Sequence, residues 1–176
     1  NTIDPSHLLT DRRTVDLTVA PEPLFRVIVS IGGDRGWYYA DWMWRIRGFI
    51  DKQLGGVGLR RGRRHPVKLN VGEPLDFWRV EEYEPGRKLL LRAEMIVWGH
   101  AWLEFTIQPL GNGITRMVQR AIYYPHGLFG LIYWYSIIPI HFVVFRGLAR
   151  TIAEMAQTEE RIGGGYARSR PDGTPT

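Results

Sequence analysis

The sequence predicts an α+β fold in which a curved antiparallel sheet wraps around one long C-terminal helix. Two observations carry this. Four strand-like runs between residues 75 and 123 are separated only by short turn sequences, and an apolar helical stripe then extends from Gly127 to about Arg161. Strands and helices are segregated along the chain rather than alternating, which is the order of α+β and not of doubly wound α/β proteins.

Residues 1–12 are polar, contain Asp4-Pro5-Ser6 and read as a linker or arm ahead of a single domain over 13–160. From Thr14 to Val19, Val15, Leu17 and Val19 alternate with polar residues, the period of a strand with one buried face. Ala20-Pro21-Glu22-Pro23 interrupts that ladder and suits the first turn of a short helix through Leu24, Phe25, Ile28 and Val29, stopped by Gly32-Gly33. Over residues 36–54, Tyr39, Trp42, Met43, Ile46, Phe49, Ile50 and Leu54 recur at helical spacing, predicting a second helix with an aromatic inner stripe.

The strand runs are Leu75 to Glu84, Lys88 to Val97, Ala101 to Gln108 and Ile114 to Tyr123. Glu84-Pro85-Gly86-Arg87, Trp98-Gly99-His100 and Gly111-Asn112-Gly113 separate them with the chemistry of antiparallel turns. Leu89, Leu91, Ala93, Met95 and Val97 share one face, as do Ala101, Leu103, Phe105 and Ile107. On the final helix, Leu131, Trp134, Ile138, His141, Phe145, Leu148, Ile152 and Met155 form one stripe, with Pro139 expected to kink it. The Gly/Pro/Ser-rich stretch 161–176 reads as a disordered tail.

Composition narrows the function classes. The 176-residue chain has no cysteine, which removes thiol nucleophiles and cysteine metal sites and suits a reducing, cytoplasmic location. It begins at Asn1 without an initiator methionine or a signal segment, as a piece of a longer protein would. The net charge of +5 is regional. Residues 35–68 hold nine basic residues against Asp41 and Asp51. Basicity confined to one region argues against a nucleic-acid-binding face. The five histidines show no metal-ligand spacing, and no G-x-S-x-G elbow is present. Gly56-Val57-Gly58 with Gly62 follows a helix and has the wrong spacing for a dinucleotide loop, so no cofactor is expected in this chain. The 25 residues from Ala121 to Phe145 lack any charge, enough for a span of about 20. Because the window opens in a strand pattern and its stripe continues past Arg146, Arg150 and Glu154, it reads as a packing helix, and membrane contact is not expected.

Residues 32–66 (GGDRGWYYADWMWRIRGFIDKQLGGVGLRRGRRHP), 71–95 (VGEPLDFWRVEEYEPGRKLLLRAEM) and 127–153 (GLFGLIYWYSIIPIHFVVFRGLARTIA) resemble a domain of unknown function. That domain is found at the C-terminus of NAD(P)-binding, epimerase-like short-chain dehydrogenase proteins. The element order resembles the helix-grip fold of the START and polyketide-cyclase (SRPBCC) superfamily. The resemblance implies a small apolar ligand held in a hydrophobic cavity between sheet and long helix. It also implies that any NAD(P) belongs to an upstream domain of the same polypeptide.

Placement of the aromatics agrees with such a cavity, since 14 of 22 lie within residues 37–49 and 123–145; the same rings would also fill a solid core. The candidate wall comprises Trp37, Trp42, Leu91, Met95, Phe105, Trp134, Ile138, His141 and Phe145. His141 is either a satisfied core histidine or a polar contact for the ligand, and it is the one weak catalytic candidate. Glu94 and Glu104 alternate with apolar residues and belong to the outer face, with Arg92 or Arg116 as partners. Arg60, Arg61, Arg63 and Arg64 form either a solvated loop or a site for a phosphate or an acidic partner. The expected function is a non-enzymatic ligand-binding or accessory domain. A cyclase- or hydrolase-like enzyme using His141 as general acid/base, and a membrane- or protein-docking module, are the alternatives.

Overall fold

A computed structural model describes residues 7–32, 36–39, 41–56 and 69–168, and the alternating runs among them enter one six-stranded sheet. In chain order the elements are β1 (Leu9–Leu17), α1 (Pro21–Val29), α2 (Asp41–Gln53), β2 (Pro74–Leu75), β3 (Trp78–Glu84), β4 (Lys88–Ala93), β5 (Gly99–Gly111), β6 (Ile114–Pro125) and α3 (Gly127–Arg168). The strand order is β1-β6-β5-β4-β3-β2 with every neighbouring pair antiparallel. Strands β2 to β6 therefore form a meander, and β1 joins its far edge beside β6. Asn112 and Gly113 link β5 to β6 with positive φ at both residues, as a two-residue type I′ hairpin turn requires.

The run expected over Leu75 to Glu84 is split into β2 and β3, β5 is longer at both ends than Ala101 to Gln108, and four further boundaries differ from the sequence reading. β1 starts at Leu9, so residues 9–12 belong to the sheet and not to a linker. Alternation was hidden there because Asp11 and Arg13 share the partly buried face. They tolerate it as an ion pair at 2.8 Å, with the Arg13 guanidinium 5.0 Å from the Phe142 ring centre. Helix α2 starts at Asp41 rather than near Gly36, and its stripe is not an inner one: Trp42, Ile46, Phe49, Ile50 and Leu54 are exposed. β4 ends at Ala93, short of Val97. Helix α3 continues to Arg168, past the start expected for the tail at residue 161.

The core is solid at one end of α3. Leu148, Ile152 and Ala156 meet Leu24 and Ile28 of α1 and the inner-face residues Leu89, Leu91, Leu103, Phe105 and Met117, all buried. Pro21 and Glu22 open α1, where a missing N–H and a negative charge are both tolerated. The outer face is held by charge: Glu104 on β5 pairs with Arg120 on β6 at 2.7 Å and with Lys88 on β4 at 3.7 Å.

Position along α3 should therefore set the cost of truncation. Leu148→Ala and Ile152→Ala should each cost about 2–5 kcal/mol, as buried large-to-small substitutions do. The exposed Leu128→Ala should stay within about 0.5 kcal/mol. Urea denaturation of the three variants measures this; equal losses at all three positions would contradict the division of the helix.

Candidate functional site

The two longest strands, β5 and β6, extend beyond the end of β4. β4 pairs with β5 only from Lys88 to Arg92, leaving Gly99 to Ala101 paired to β6 alone. Residues 94–98 turn away from the sheet instead of continuing it. A cavity of about 410 Å³ occupies the gap, within the range of small-molecule sites. One wall is Ala101, Trp102, Ala121, Ile122 and Tyr123 of β5 and β6. Opposite lie Tyr133, Trp134, Ile137, Ile140, His141, Val144 and Phe145 of α3. Met95 to Trp98 close one side, and Trp42, Met43, Ile46, Arg47 and Ile50 of α2 stand over the mouth.

Two buried anchors shape this gap. Tyr123 stacks on Trp134 with ring centres 5.2 Å apart and planes within 7°, while its hydroxyl donates to the Val97 and Trp98 carbonyls. Burial, with a smaller contribution from Tyr133, pushes the Tyr123 phenol up to about 12, so it acts as a neutral donor at physiological pH. The His126 N–H donates to the Trp98 carbonyl at 2.9 Å, and a Cβ at Gly130 would lie 2.6 Å from that same oxygen. These contacts hold Trp98, a half-exposed aromatic residue, at φ 46, a backbone conformation that costs about 1–3 kcal/mol outside glycine.

The second anchor is Asp51, buried on α2. Its carboxylate accepts the Ile96 N–H at 2.8 Å and faces Arg47 at 3.4 Å, and the Arg47 guanidinium donates to the Ile96 carbonyl. Two side chains one helical turn apart thus clamp the main chain of the strand-end segment. The chain folds back tightly over this carboxylate: the Gly56 N–H donates to the Asp51 carbonyl at 2.8 Å, and a Cβ at residue 56 would sit 2.3 Å from Asp51 Oδ2.

Of the residues expected at the wall, Trp42, Met95, Trp134, His141 and Phe145 line the cavity. Trp37, Leu91 and Phe105 do not; they are fully buried in the solid core. The Trp37 indole N–H donates to Asp76 at 3.0 Å and its ring stacks on Phe77. Ile138 is 39% exposed and Ile137 takes its place. Both positions lie three or four residues from Trp134 and from His141, so helical spacing fits either. Arg60, Arg61, Arg63 and Arg64 lie outside the described residues. Glu94 and Glu104 do not pair with each other: Glu94 binds Arg79 and Glu104 binds Arg120, while Arg92 and Arg116 hold Glu81 and Asp16. The sequence reading missed Tyr123, Trp98 and Arg47. Tyr123 follows Met117, Gln119 and Ala121 at period two and was legible as inward-facing; Trp98 and Arg47 carried no such signal.

His141 is the imidazole in this apolar wall. Its ring lies edge-on to Trp134 at 5.5 Å and 4.8 Å from Phe145, and its Nδ1 is buried with no hydrogen-bond partner. Burial lowers its pKa to about 4; nearby Asp11 pulls it up and Arg13 pushes it down, both weaker than burial. The ring is neutral at pH 7.

The sequence matches the family described as a protein of unknown function, DUF2867, over residues 4–148. No curated protein matches it. Among solved structures, the di-domain ARO/CYC StfQ of the steffimycin biosynthetic pathway superposes with a TM-score of 0.53 at 12% identity, covering 89% of this chain and 52% of that one. DynU16 from the dynemicin biosynthetic locus gives 0.51 at 16%, covering 86% and 48%. Norcoclaurine synthase from Thalictrum flavum, in complex with dopamine and hydroxybenzaldehyde, gives 0.50 at 9%, covering 86% and 87%. The fold is thus the α+β helix-grip fold, a curved six-stranded antiparallel sheet with a long C-terminal helix.

Two outcomes follow from the anchors and the imidazole. Asp51→Ala removes the acceptor of the part-buried Ile96 N–H, a loss of about 1–3 kcal/mol. It should speed hydrogen exchange across α2 while β5 and β6 stay protected; unchanged exchange in α2 would show that the clamp is not what holds it. For His141, the unfolded chain takes up a proton near pH 6.5, whereas the folded chain resists until about pH 4. Stability therefore falls as pH is lowered through that window, and His141→Gln should flatten the slope. Denaturation of both proteins at pH 7 and 4.5 checks the difference.

Proposed function

The chain belongs to the DUF2867 family of proteins of unknown function, and we propose that it binds a small, predominantly apolar molecule in the cavity beneath α2. The observation that carries this reading is the cavity itself: about 410 Å³ left beside a solid core, lined mostly by aromatic and aliphatic groups, with Arg47 and the neutral His141 as its ionisable members. Such a wall selects by shape and apolar area and offers His141 as one polar contact. The similarity to norcoclaurine synthase, a helix-grip protein solved with two small aromatic molecules, supports a ligand of that size.

Binding is favoured over catalysis because no carboxylate lines the cavity among the described residues, Tyr123 is committed to two carbonyls, and an imidazole held near pKa 4 is a weak base. We further read the domain as the cytoplasmic accessory part of a longer polypeptide whose upstream NAD(P)-binding, epimerase-like domain would supply any redox chemistry. Support for that arrangement is the resemblance of residues 32–66, 71–95 and 127–153.

Native mass spectrometry tests the reading. The purified chain should retain a small apolar mass, and Ala101→Trp, which fills the cavity from its β5 wall, should abolish it without lowering the melting temperature. A clean ligand-free mass for the parent chain, or an unchanged bound mass in the Trp variant, would overturn it.

A further inference from the structure

The cavity mouth opens into a surface that is apolar and exposed among the described residues. On α2, Trp42 and Phe49 are 64% and 65% exposed, beside exposed Ile46 and Leu54. On the first half of α3, Phe129 is 75% exposed, with Leu128, Ile132 and Tyr135 around it and Phe142 and Val143 further along. Trp98 stands between the two helices at the rim. Helix α3 is long and apolar enough to cross a membrane over Gly127–Ile162, yet only 22% of its most apolar stretch is buried inside the protein. A packing helix of a soluble domain hides such a stretch; this one has its cavity on one side and, among the described residues, leaves Leu128, Phe129, Ile132 and Tyr135 exposed on the others.

Charge identifies what covers it. Nine of the chain's basic residues fall within residues 35–68, which comprise α2 and the segments flanking it, against two acidic ones. Of those two, Asp51 is buried and faces Arg47. Arg45 and Lys52 are exposed on the same helix as Trp42 and Phe49, and five further cations follow within residues 60–68. Apolar and aromatic side chains rimmed by Lys and Arg, on a helix with exposed apolar residues, match the boundary between acyl chains and anionic headgroups. A neutral or zwitterionic partner would leave the cations unanswered. The N-terminal part of α3 forms a broad apolar surface beside them, and Trp98 and Tyr135 suit the interfacial layer.

We propose that α2, the rim at Trp98 and the first half of α3 form a docking surface for an anionic lipid bilayer. The domain lies on the membrane and does not span it, since the second half of α3 is packed in the solid core. The cavity mouth then faces the acyl region, a source of apolar molecules. This surface stands independently of the ligand reading: bilayer contact needs only the exposed side chains.

Co-sedimentation of the full chain with phosphatidylcholine vesicles, with and without phosphatidylserine, tests the proposal. Binding is expected to the mixed vesicles at low salt, weakening at high salt and in the absence of phosphatidylserine. Phe49→Glu with Phe129→Glu changes two residues outside the cavity lining and, at exposed sites, should leave the melting temperature unchanged. It should weaken binding at least about tenfold, given the apolar area each ring would otherwise insert. Leu110→Glu, exposed on the β5–β6 hairpin away from this surface, serves as control and should bind as the parent does. Failure of the parent to bind mixed vesicles at low salt, or equal binding by the double variant, overturns the proposal. A concentration-dependent dimer abolished by the same double variant, without vesicle binding, would assign the face to a second copy instead.

Discussion

The packing of one long helix against strands of unequal length organises this molecule. β4 has 6 residues, while β5 and β6 have 13 and 12. At about 3.3 Å per residue, Gly99 to Ala101 carry the longer pair about 10 Å past the β4–β5 pairing at this end. Where all the strands run together, α3 closes a dry core with α1. Where only β5 and β6 remain, the same helix spans a sheet too narrow to fill the space beneath it. The cavity is the geometric remainder of that mismatch, and residues 94–98 and α2 become its walls because no strand is there to do so.

The polar groups at this end hold walls in place rather than filling the space. Asp51 and Arg47 clamp main-chain atoms of Ile96, and the Tyr123 hydroxyl binds the carbonyls of Val97 and Trp98. Together they satisfy main-chain groups of a segment that has left the sheet, most of them part-buried; the Trp98 carbonyl also accepts from the His126 N–H. The His141 Nδ1 has no such role and no partner.

Much of the fold was legible because alternation and turn residues agreed. The boundaries of α1, the β5–β6 turn and the inner faces of β4 and β5 all follow from local pattern. Legibility failed where a tertiary contact overrode the pattern. Asp11 and Arg13 break the alternation of β1 yet sit inside it, because each neutralises the other and Phe142 covers the guanidinium. Ile137 replaced Ile138 at the wall because a spacing of three and a spacing of four are equally helical; the direction from which the sheet approaches decides between them. Trp37 looked like a cavity aromatic by proximity to Trp42, but Asp76, far along the chain, draws its indole into the core. Five wall residues were readable from apolar periodicity, whereas Arg47 looked like surface until its partner Ile96 was in place.

The division of α3 also explains how the chain carries its unfavourable features. A left-handed Trp98, an imidazole with a bare nitrogen and a broad exposed apolar surface are each destabilising on their own. All three lie at the N-terminal end of the helix, away from Leu148, Ile152 and Ala156 and the sheet beneath them. Cooperative folding can then rest on the solid half, while the cavity half opens at lower free energy as local units do. Such an arrangement separates changes at the cavity end from the core that keeps the sheet together.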